Sequence, residues 1–543
     1  MKKMQTEKFR WTGQISLRKL SAVLAAIYVL GLLPVFAIAR YNYASADDFG
    51  MGLAAYRAFS STGNIFAAIG QGFYMAWYDY IHWMGYFTST VFMSVPPNVF
   101  DERLYPVGVF ILIFMLTAGT LYFFRALFVN ALRIDRYASR CLALVTLLVT
   151  VQCLPEGSAR VESFFWYCSG VNYVLLYSFG LFWLGLLISA VFDQSRGKRI
   201  YDLVMACILG FAVGGGNYMT SLSCAIIAVL VIIAALRCRH KELLAPCLFL
   251  LAGFALSCLA PGNNNRAQSL QGFSAVKTIL IALYYTLSYC VNEYTTWAVL
   301  LFFALAAVIA WKAAVKVPFR FSYPALAVIF GYGMVSANIA PPLYAEGNIG
   351  AGRLIALFYM QYVLVAVLLE VYVVGWLRQY VIGRAGDAAD ECGAAEGKKL
   401  AGNPQYTAED VQAAADAAKM PAEVKGAAAG ARLSAAMSGA AVFLMAALVF
   451  GSVLTVKADP DFYMATSAAQ DLLNGHAARY KEQNDGRRKI LRDTSVKDAV
   501  LDEFDYKPDL LFFSDIETDP SNWQNKALAR YYGKDSVVLR RTK

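Results

Sequence analysis

Two adjacent carboxylates are the residues in this sequence best placed for acid–base chemistry. Asp47 and Asp48 follow the first long apolar block, after the polar stretch 41–46. A carboxylate at the edge of an apolar layer has a pKa that its surroundings can tune, which suits a general base or a metal ligand. The structural alternative is that one of the two aspartates caps the amphipathic helix predicted over 49–59. The residues alone leave both interpretations open.

Four later segments are rich in polar residues or glycines. Three combine isolated arginines or acids with amides, aromatic rings or glycines, and the fourth, 214–218, has three glycines before Asn217 and could be only a flexible turn. An arginine among small polar residues suits a phosphate, because its planar guanidinium can donate to two oxygens at once. The competing interpretation is that these residues have ordinary roles at the membrane–water interface. Acids and arginines would pair with each other, aromatic rings would form a membrane belt, and a lone arginine would extend its side chain to the interface. The candidate binding residues are Glu156, Arg160, Glu162, Trp166, Asn172 and Tyr173 in the first segment, Asn217 after the three glycines 214–216, Asn263 and Arg266 in the third, and Glu346 and Arg353 in the last.

Long apolar blocks must position these residues. Hydrophobic residues make up 58% of the chain and charged residues 16%, against about 45–50% and about 25% in soluble domains. A block of roughly 20 apolar residues spans a bilayer as a helix. The first block, about 20–39, is too long for a signal-peptide core and lacks a small-residue cleavage site, so we predict an uncleaved span.

The composition also argues against several other classes of protein. The net charge of +10 comes mostly from lysines and arginines beside apolar blocks, so we do not expect nucleic-acid binding. The ten cysteines form no C-x-x-C pair, and the three histidines are far apart in sequence. We therefore expect neither a disulfide or zinc framework nor a histidine-based site.

The distribution of basic residues predicts how the chain crosses the membrane. Lysine and arginine cluster in alternate loops, which the positive-inside rule places in the cytoplasm. The N-terminus is then cytoplasmic, and the polar segments described above lie on the opposite side. Two leftover apolar stretches, 83–97 and 276–292, are predicted as re-entrant or interfacial helices, or else as a pair of extra spans. The eleven predicted spans are 18–39, 104–129, 138–154, 169–193, 199–213, 217–236, 243–259, 295–312, 322–340, 353–380 and 434–457.

Composition also divides the chain into parts. Residues 1–384 form a transmembrane core whose first outer loop is 41–103. An alanine- and glycine-rich stretch, 385–432, is predicted to be a low-complexity cytoplasmic insert. The last span follows at 433–457, and 458–543 are predicted to form a small extracytoplasmic α/β domain. In that domain Trp523 and Asn525 lie in a polar, turn-rich stretch, which would either bind an acceptor glycan by aromatic stacking or act as a structural cap.

Four stretches of the sequence carry a family resemblance: 46–49, 162–173, 260–263 with Arg266, and 523–533. They resemble the GT-C type of membrane glycosyltransferase, and more narrowly a bacterial GT-C-like family. Such enzymes are multispanning and use a polyprenyl-phosphate-linked sugar at the outer face of the membrane. The resemblance reaches from residue 20 to the end of the chain. It departs at Gly85-Tyr86, where members often carry Gly-Arg, and at the insert 385–432.

The resemblance implies a multispanning membrane core. Together with the spans and the C-terminal domain predicted above, it gives an expected fold that is all-α and polytopic, with about 11–13 transmembrane helices and a small C-terminal α/β domain. It implies that Asp47 is the base that activates the acceptor, and that Asp48 assists it or holds a metal. A divalent cation, Mg²⁺ or Mn²⁺, is an optional cofactor. Arg266 and Arg353 would be similar to the arginines that hold the donor phosphate.

The leading functional hypothesis is a glycosyltransferase of the bacterial cytoplasmic (inner) membrane. It would move a sugar from a polyprenyl phosphate to a cell-envelope glycan, lipid or protein, with inversion at the anomeric carbon, and its remaining partner would be membrane lipid. The main alternative is a transporter or flippase for lipid-linked saccharides, although few charges lie inside the spans, with Glu370 the main exception. A polymerase or ligase for such saccharides and a non-catalytic envelope scaffold are further alternatives.

Overall fold

The computed structural model describes most of the predicted core and the C-terminal part of the chain. The predicted last span, 433–457, falls outside it apart from isolated helical residues, as does most of the insert. The described residues are 16–155, 157–192, 195–314, 317–401, four single positions between 439 and 447, and 462–541. Within 382–401 only the backbone is described.

Helices make up most of the described chain. An apolar segment in a bilayer must satisfy its backbone hydrogen bonds internally, and a helix does so within one segment. In chain order the elements are α1 (Leu17–Ala39), α2 (Asp47–Thr62), α3 (Ile65–His82), α4 (Phe87–Met93), α5 (Val107–Phe124), α6 (Arg136–Gln152), α7 (Ser158–Arg160), α8 (Tyr167–Gly170), α9 (Leu176–Phe192), α10 (Arg196–Gly214), α11 (Tyr218–Cys238), α12 (Leu244–Cys258), α13 (Pro261–Ala267), α14 (Ala275–Tyr289), α15 (Trp297–Ala313), α16 (Pro324–Glu346), α17 (Gly352–Ala401), α18 (Met464–Leu473), α19 (His476–Arg492), β1 (Asp498–Asp502), α20 (Trp523–Tyr532) and β2 (Ser536–Arg540).

Seven helical stretches in the described chain are long and apolar enough to cross a membrane, as expected of a multi-pass membrane protein. Each coincides with one of the eleven predicted spans. An eighth is reached if α14 and α15, which meet at a bend of 98°, form one broken span. The seven stretches are Leu17–Ala39, Glu102–Ala131, Tyr167–Phe192, Tyr218–Cys238, Lys241–Cys258, Pro324–Glu346 and Gly352–Val381.

Two further predicted spans are helical but do not reach that standard. Helix α6 has 17 residues, about 26 Å of rise, against a hydrocarbon core of about 30 Å. Helix α10 carries Arg196, Lys198, Arg199 and Asp202 in its first two turns. The stretch 83–97 contains only α4, whose seven residues are too short for a span. The sharp bend between α14 and α15 is the geometry of a broken span or a re-entrant loop.

Helix α6 lies at the centre of the bundle. All but a few of its residues are buried, and it packs against α1, α5, α15 and α17. A second apolar cluster is formed by buried residues of four consecutive helices, α9, α10, α11 and α12. Here α10 and α12 approach so closely that a Cβ on Gly214 would lie 2.4 Å from the Leu250 carbonyl oxygen. Small residues allow such close packing between apolar helices.

The C-terminal part confirms the predicted small α/β unit. Strands β1 and β2 pair in parallel, with Asp498 opposite Ser536 and Asp502 opposite Arg540. Buried residues alternate along each strand with exposed ones in β1 and with mostly half-buried ones in β2, and the buried ones pack with Leu528 of α20. The unit is attached to the bundle, because the Ala465 N–H donates to the Gln152 side chain over 2.9 Å.

Candidate active site

The two adjacent aspartates have different surroundings. Asp48 is fully buried, and its carboxylate accepts hydrogen bonds from the Tyr105 hydroxyl at 2.6 Å, the Ser45 N–H at 3.0 Å and the Cys168 N–H at 3.1 Å. Burial raises the pKa of Asp48 to about 6, although these three donors oppose the rise. With its oxygens used by protein donors, Asp48 ties the start of α2 to the segment just before α5 and to α8.

The turn before Asp47 is strained. Ala46 has a φ of 47°, a value that an L-residue with a Cβ rarely adopts and that costs roughly 1–3 kcal/mol. Ala46 is also the residue at the N-cap of α2, and it makes no side-chain capping bond. The structural alternative, in which one of the two aspartates is the N-cap of this helix, is therefore wrong. The bond from Ser45 to Asp48 spans the turn and holds it in place.

Asp47 is left as an available base. Its side chain is partly buried, and among the described residues its carboxylate has no hydrogen-bond or salt-bridge partner. Burial raises the pKa of Asp47, while the positive charges of Arg353 and Arg266 lower it. A carboxylate with a raised pKa and free oxygens is suited to taking a proton from a hydroxyl.

Arg353 is held at the start of α17 by Glu162. One Glu162 oxygen accepts from the Gly352 N–H at 3.1 Å, and the other accepts from the Arg353 N–H at 3.3 Å and its guanidinium at 2.8 Å. Glu162 is buried. Glu162 was predicted to bind substrate, but its carboxylate is used by Arg353 and by the first N–H groups of α17. Its role is therefore to position Arg353.

An aromatic stack supports the same arginine. The Arg353 guanidinium carbon lies 5.6 Å from the centre of the Trp166 ring. Trp166 in turn stacks on Phe513 of the C-terminal unit, with ring centres 3.7 Å apart. The C-terminal unit therefore reaches the arginine site through Trp166.

Arg266 approaches Asp47 from α13. Its guanidinium donates to Glu346 at 3.2 Å and lies 6.0 Å from the ring centre of Tyr86. The hydroxyl of Tyr173 interacts electrostatically with both Arg266 and Arg353. Two arginines from distant parts of the chain and one free carboxylate thus share a site.

A groove leads away from Arg266. It has a volume of about 830 Å³ and runs between α11, α12, α14 and α16. Ile279 lines it and is 59% exposed, so the groove opens on the apolar surface of the bundle. An apolar channel that ends at a guanidinium suits an amphiphile with an anionic head. The polar end is formed by Arg266, Glu346, Asn263 and Tyr218, and the apolar walls by Leu222, Phe254, Leu270, Phe273 and Ile279.

Several predicted binding residues serve the fold. Asn217 caps α11 through Thr220 and donates to the Asn172 carbonyl. Asn263 accepts from the Gly85 N–H and the Tyr218 hydroxyl, although it also reaches the groove.

The other predicted binding residues lie away from Asp47 or outside the described chain. Buried Arg160 donates to the carbonyls of Leu154 and Phe462. Asn525 makes three hydrogen bonds inside the C-terminal unit, and Trp523 is exposed. Glu156 lies outside the described residues.

The residues present do not fit a divalent cation. The Asp48 carboxylate is occupied by three donors, and Asp47 is close enough to two arginines for their charges to lower its pKa. Hard cations need several oxygen ligands, yet no group of three or more His, Cys, Asp or Glu residues in the described chain could hold a metal.

Some residues that shape the site carry little sequence signal. Tyr105 holds Asp48, Tyr86 and Tyr218 line the groove, and Phe513 supports Trp166. Tyrosine occurs 33 times and phenylalanine 35 times in the chain, so neither type distinguishes a position. Only the departure at Gly85-Tyr86 pointed to one of them.

Comparison with known proteins adds no relative to this picture. No family model matches the chain, and neither a curated protein nor a solved structure matches it.

Proposed function

We propose that this protein is a membrane glycosyltransferase that takes a sugar from a polyprenyl-phosphate donor. The proposal orients the bundle in a bacterial cytoplasmic (inner) membrane with eleven spans and a cytoplasmic N-terminus. The site around Asp47 and the C-terminal unit then lie on the opposite side. The acceptor is a hydroxyl of a cell-envelope glycan, lipid or protein.

The donor is bound in two parts. Its phosphate lies between Arg266 and Arg353, whose guanidinium groups can each donate to phosphate oxygens. Its hydrocarbon chain lies in the apolar groove, where burial from water favours it. Glu346 holds Arg266 in the free protein, and the phosphate would replace that carboxylate as the partner of Arg266.

Transfer then needs one base. Asp47 takes the proton from the acceptor hydroxyl while the hydroxyl oxygen attacks the anomeric carbon. The bond between that carbon and the phosphate oxygen breaks, and its electron pair stays on the phosphate. The two arginines stabilise the charge that develops there. A single displacement inverts the configuration at the anomeric carbon.

The observation that carries the proposal is the placement of a free carboxylate beside two arginines, one of which heads an apolar groove. The test is transfer of radiolabelled sugar from a panel of polyprenyl-phosphate sugars by purified protein in lipid. Asp47→Asn should reduce transfer by about 10²-fold or more, the scale on which a positioned base contributes. Asp535→Asn is the matched control, since Asp535 is exposed. Transfer at the wild-type rate by Asp47→Asn would refute the proposal.

A second candidate, movement of lipid-linked saccharides across the membrane, rests on Glu370. This residue lies within the candidate span Gly352–Val381, and its Oε2 is buried without a hydrogen-bond partner. Ionisable groups inside a membrane commonly serve transport. If this candidate is right, Glu370→Gln abolishes flipping of a fluorescent polyprenyl-phosphate sugar in proteoliposomes while Asp47→Asn does not.

A further inference from the structure

A small cavity lies where the first loop meets the C-terminal unit. Its volume is about 80 Å³, several times the roughly 10–15 Å³ that one water needs. The first loop contributes Ser45 and Ala46, the two residues immediately before Asp47. The facing wall includes Asn484 and Gln524. We call this space the junction cavity.

The charged groups around the junction cavity are paired with each other. Arg487 forms two hydrogen bonds with Asp515, at 2.7 and 2.8 Å. Glu102 binds Arg488, and its carboxylate also accepts from the Tyr532 hydroxyl at 2.8 Å. Because each cation has a carboxylate partner, the cavity offers no excess positive charge to a phosphate.

What remains in the walls is a set of neutral polar side chains and aromatic rings, set among the aliphatic side chains of Leu491, Leu501, Ile516 and Leu528. Gln524 donates one amide hydrogen to Ser514 at 2.9 Å, which leaves its amide oxygen for a ligand. The Asn98 Oδ1 is buried with no partner among the described residues. Tyr480 and Phe504 add aromatic rings. Amides and hydroxyls that can donate and accept, next to aromatic rings, are the groups that bind the hydroxyls and C–H faces of a sugar.

We propose that the junction cavity binds one neutral sugar unit of the acceptor. This inference rests on the proposed function and identifies its acceptor class as a glycan or a glycosylated molecule. By the same measure the cavity has room for about five to eight waters, roughly the space of a single sugar ring, and it is too small for a lipid chain. Ala46 lines the cavity and is followed in the chain by Asp47, so a saccharide bound there would lie beside the turn that carries the proposed base. The donor and acceptor would then approach Asp47 from opposite sides, along the groove and from the C-terminal unit.

The test measures binding separately from transfer. Saturation-transfer NMR on the full chain in nanodiscs would use the methyl glycosides of glucose, galactose and N-acetylglucosamine as probes. We expect at least one to bind the wild type, and Gln524→Ala and Asn484→Ala each to weaken it by about fivefold, as expected for one lost hydrogen bond. Lys526→Ala is the matched control, since Lys526 is exposed on the same helix as Gln524.

The possible outcomes separate the two proposals. Glycoside binding that survives Asp47→Asn and weakens in Gln524→Ala supports the sugar site even if no sugar transfer is found, in which case only the proposed function fails. If no glycoside binds, or if both cavity variants bind as the wild type does, the sugar site is wrong. Competition by millimolar inorganic phosphate would also overturn it, because the paired charges predict no anion site.

Discussion

Replacing Tyr105 by phenylalanine should destabilise the protein in a pH-dependent way. The Tyr105 hydroxyl donates to the Asp48 carboxylate at 2.6 Å and accepts from the Tyr167 N–H at 3.0 Å. Phenylalanine keeps the ring and removes both of these hydrogen bonds. It also removes a longer bond of 3.3 Å from the hydroxyl to the Phe165 carbonyl, but that carbonyl keeps the Asn42 side chain as a donor. The carboxylate keeps two donors, and a buried backbone N–H loses its acceptor.

The size of the effect follows from these two losses. A hydrogen bond to a charged group contributes about 1.5–3 kcal/mol, and an unpaired buried donor costs about 1–3 kcal/mol. We therefore expect a loss of about 3 kcal/mol at pH 8, where Asp48 is ionised. Burial raises the pKa of Asp48 to about 6 in the folded protein, so the group is mostly protonated at pH 5. The part of the loss that depends on its charge should then disappear, because it is present only above the folded pKa.

Thermal unfolding in nanodiscs at pH 5 and pH 8 measures this difference. The Tm of Tyr105→Phe should fall further below that of the wild type at pH 8 than at pH 5. Tyr74→Phe is the control, since Tyr74 is exposed, and its Tm should stay unchanged. An equal loss at both pH values would show that Asp48 is not an ionised group held by Tyr105.

Three other predictions follow from the site and the C-terminal unit. Arg353 lowers the pKa of Asp47, so Arg353→Gln should move the acid limb of kcat/KM to higher pH, because Asp47 must be deprotonated to act. Glu346 competes with phosphate for Arg266, so Glu346→Gln should lower the KM for the donor by about two- to fivefold, the range of a partly exposed ion pair. Asn525→Ala removes three hydrogen bonds and should cost about 2–4 kcal/mol, measured as a lower Tm.

Two of these predictions have a matched control, and each has an outcome that would contradict it. Arg57 is exposed on α2, and Arg57→Gln should leave the acid limb in place. An unmoved limb in Arg353→Gln would show that Arg353 does not act on Asp47. A higher KM in Glu346→Gln would mean that Glu346 orients Arg266 rather than competing for it. Lys526→Ala lies next to Asn525 in the same helix and should leave the Tm unchanged; an unchanged Tm in Asn525→Ala would mean that its three bonds do not stabilise the unit.

Hydropathy made most of the bundle predictable. A span is a local property of some twenty residues, and the seven helices that meet it fall where the sequence placed spans. Helices α6 and α10 were also predicted as spans but do not meet the length and hydropathy expected of one, because α6 is short and α10 begins with charged residues. The small C-terminal α/β unit was also predicted, from its ordinary charge and from apolar runs such as 509–514. That run is not a strand, and the two strands lie at Asp498–Asp502 and Ser536–Arg540.

The site could be predicted only as a set of residue types. Arginines and an acidic pair in separate segments indicated an anion site, and the structure brings Asp47, Arg266 and Arg353 together. The residues alone did not divide the roles within the acidic pair, and only the family resemblance named Asp47 as the base. The division depends on Tyr105, a long-range partner of an ordinary residue type. The same holds for Glu162, whose binding to the start of α17 joins positions 190 residues apart.

The most direct measurement is the structure of the protein in nanodiscs with a bound polyprenyl monophosphate, determined by electron cryo-microscopy. We predict phosphate density within hydrogen-bonding distance of Arg266 and Arg353, with the hydrocarbon chain along Leu222 and Phe254 and the Asp47 carboxylate facing the phosphate. A phosphate bound away from both arginines, or a groove that excludes the chain, would contradict the account.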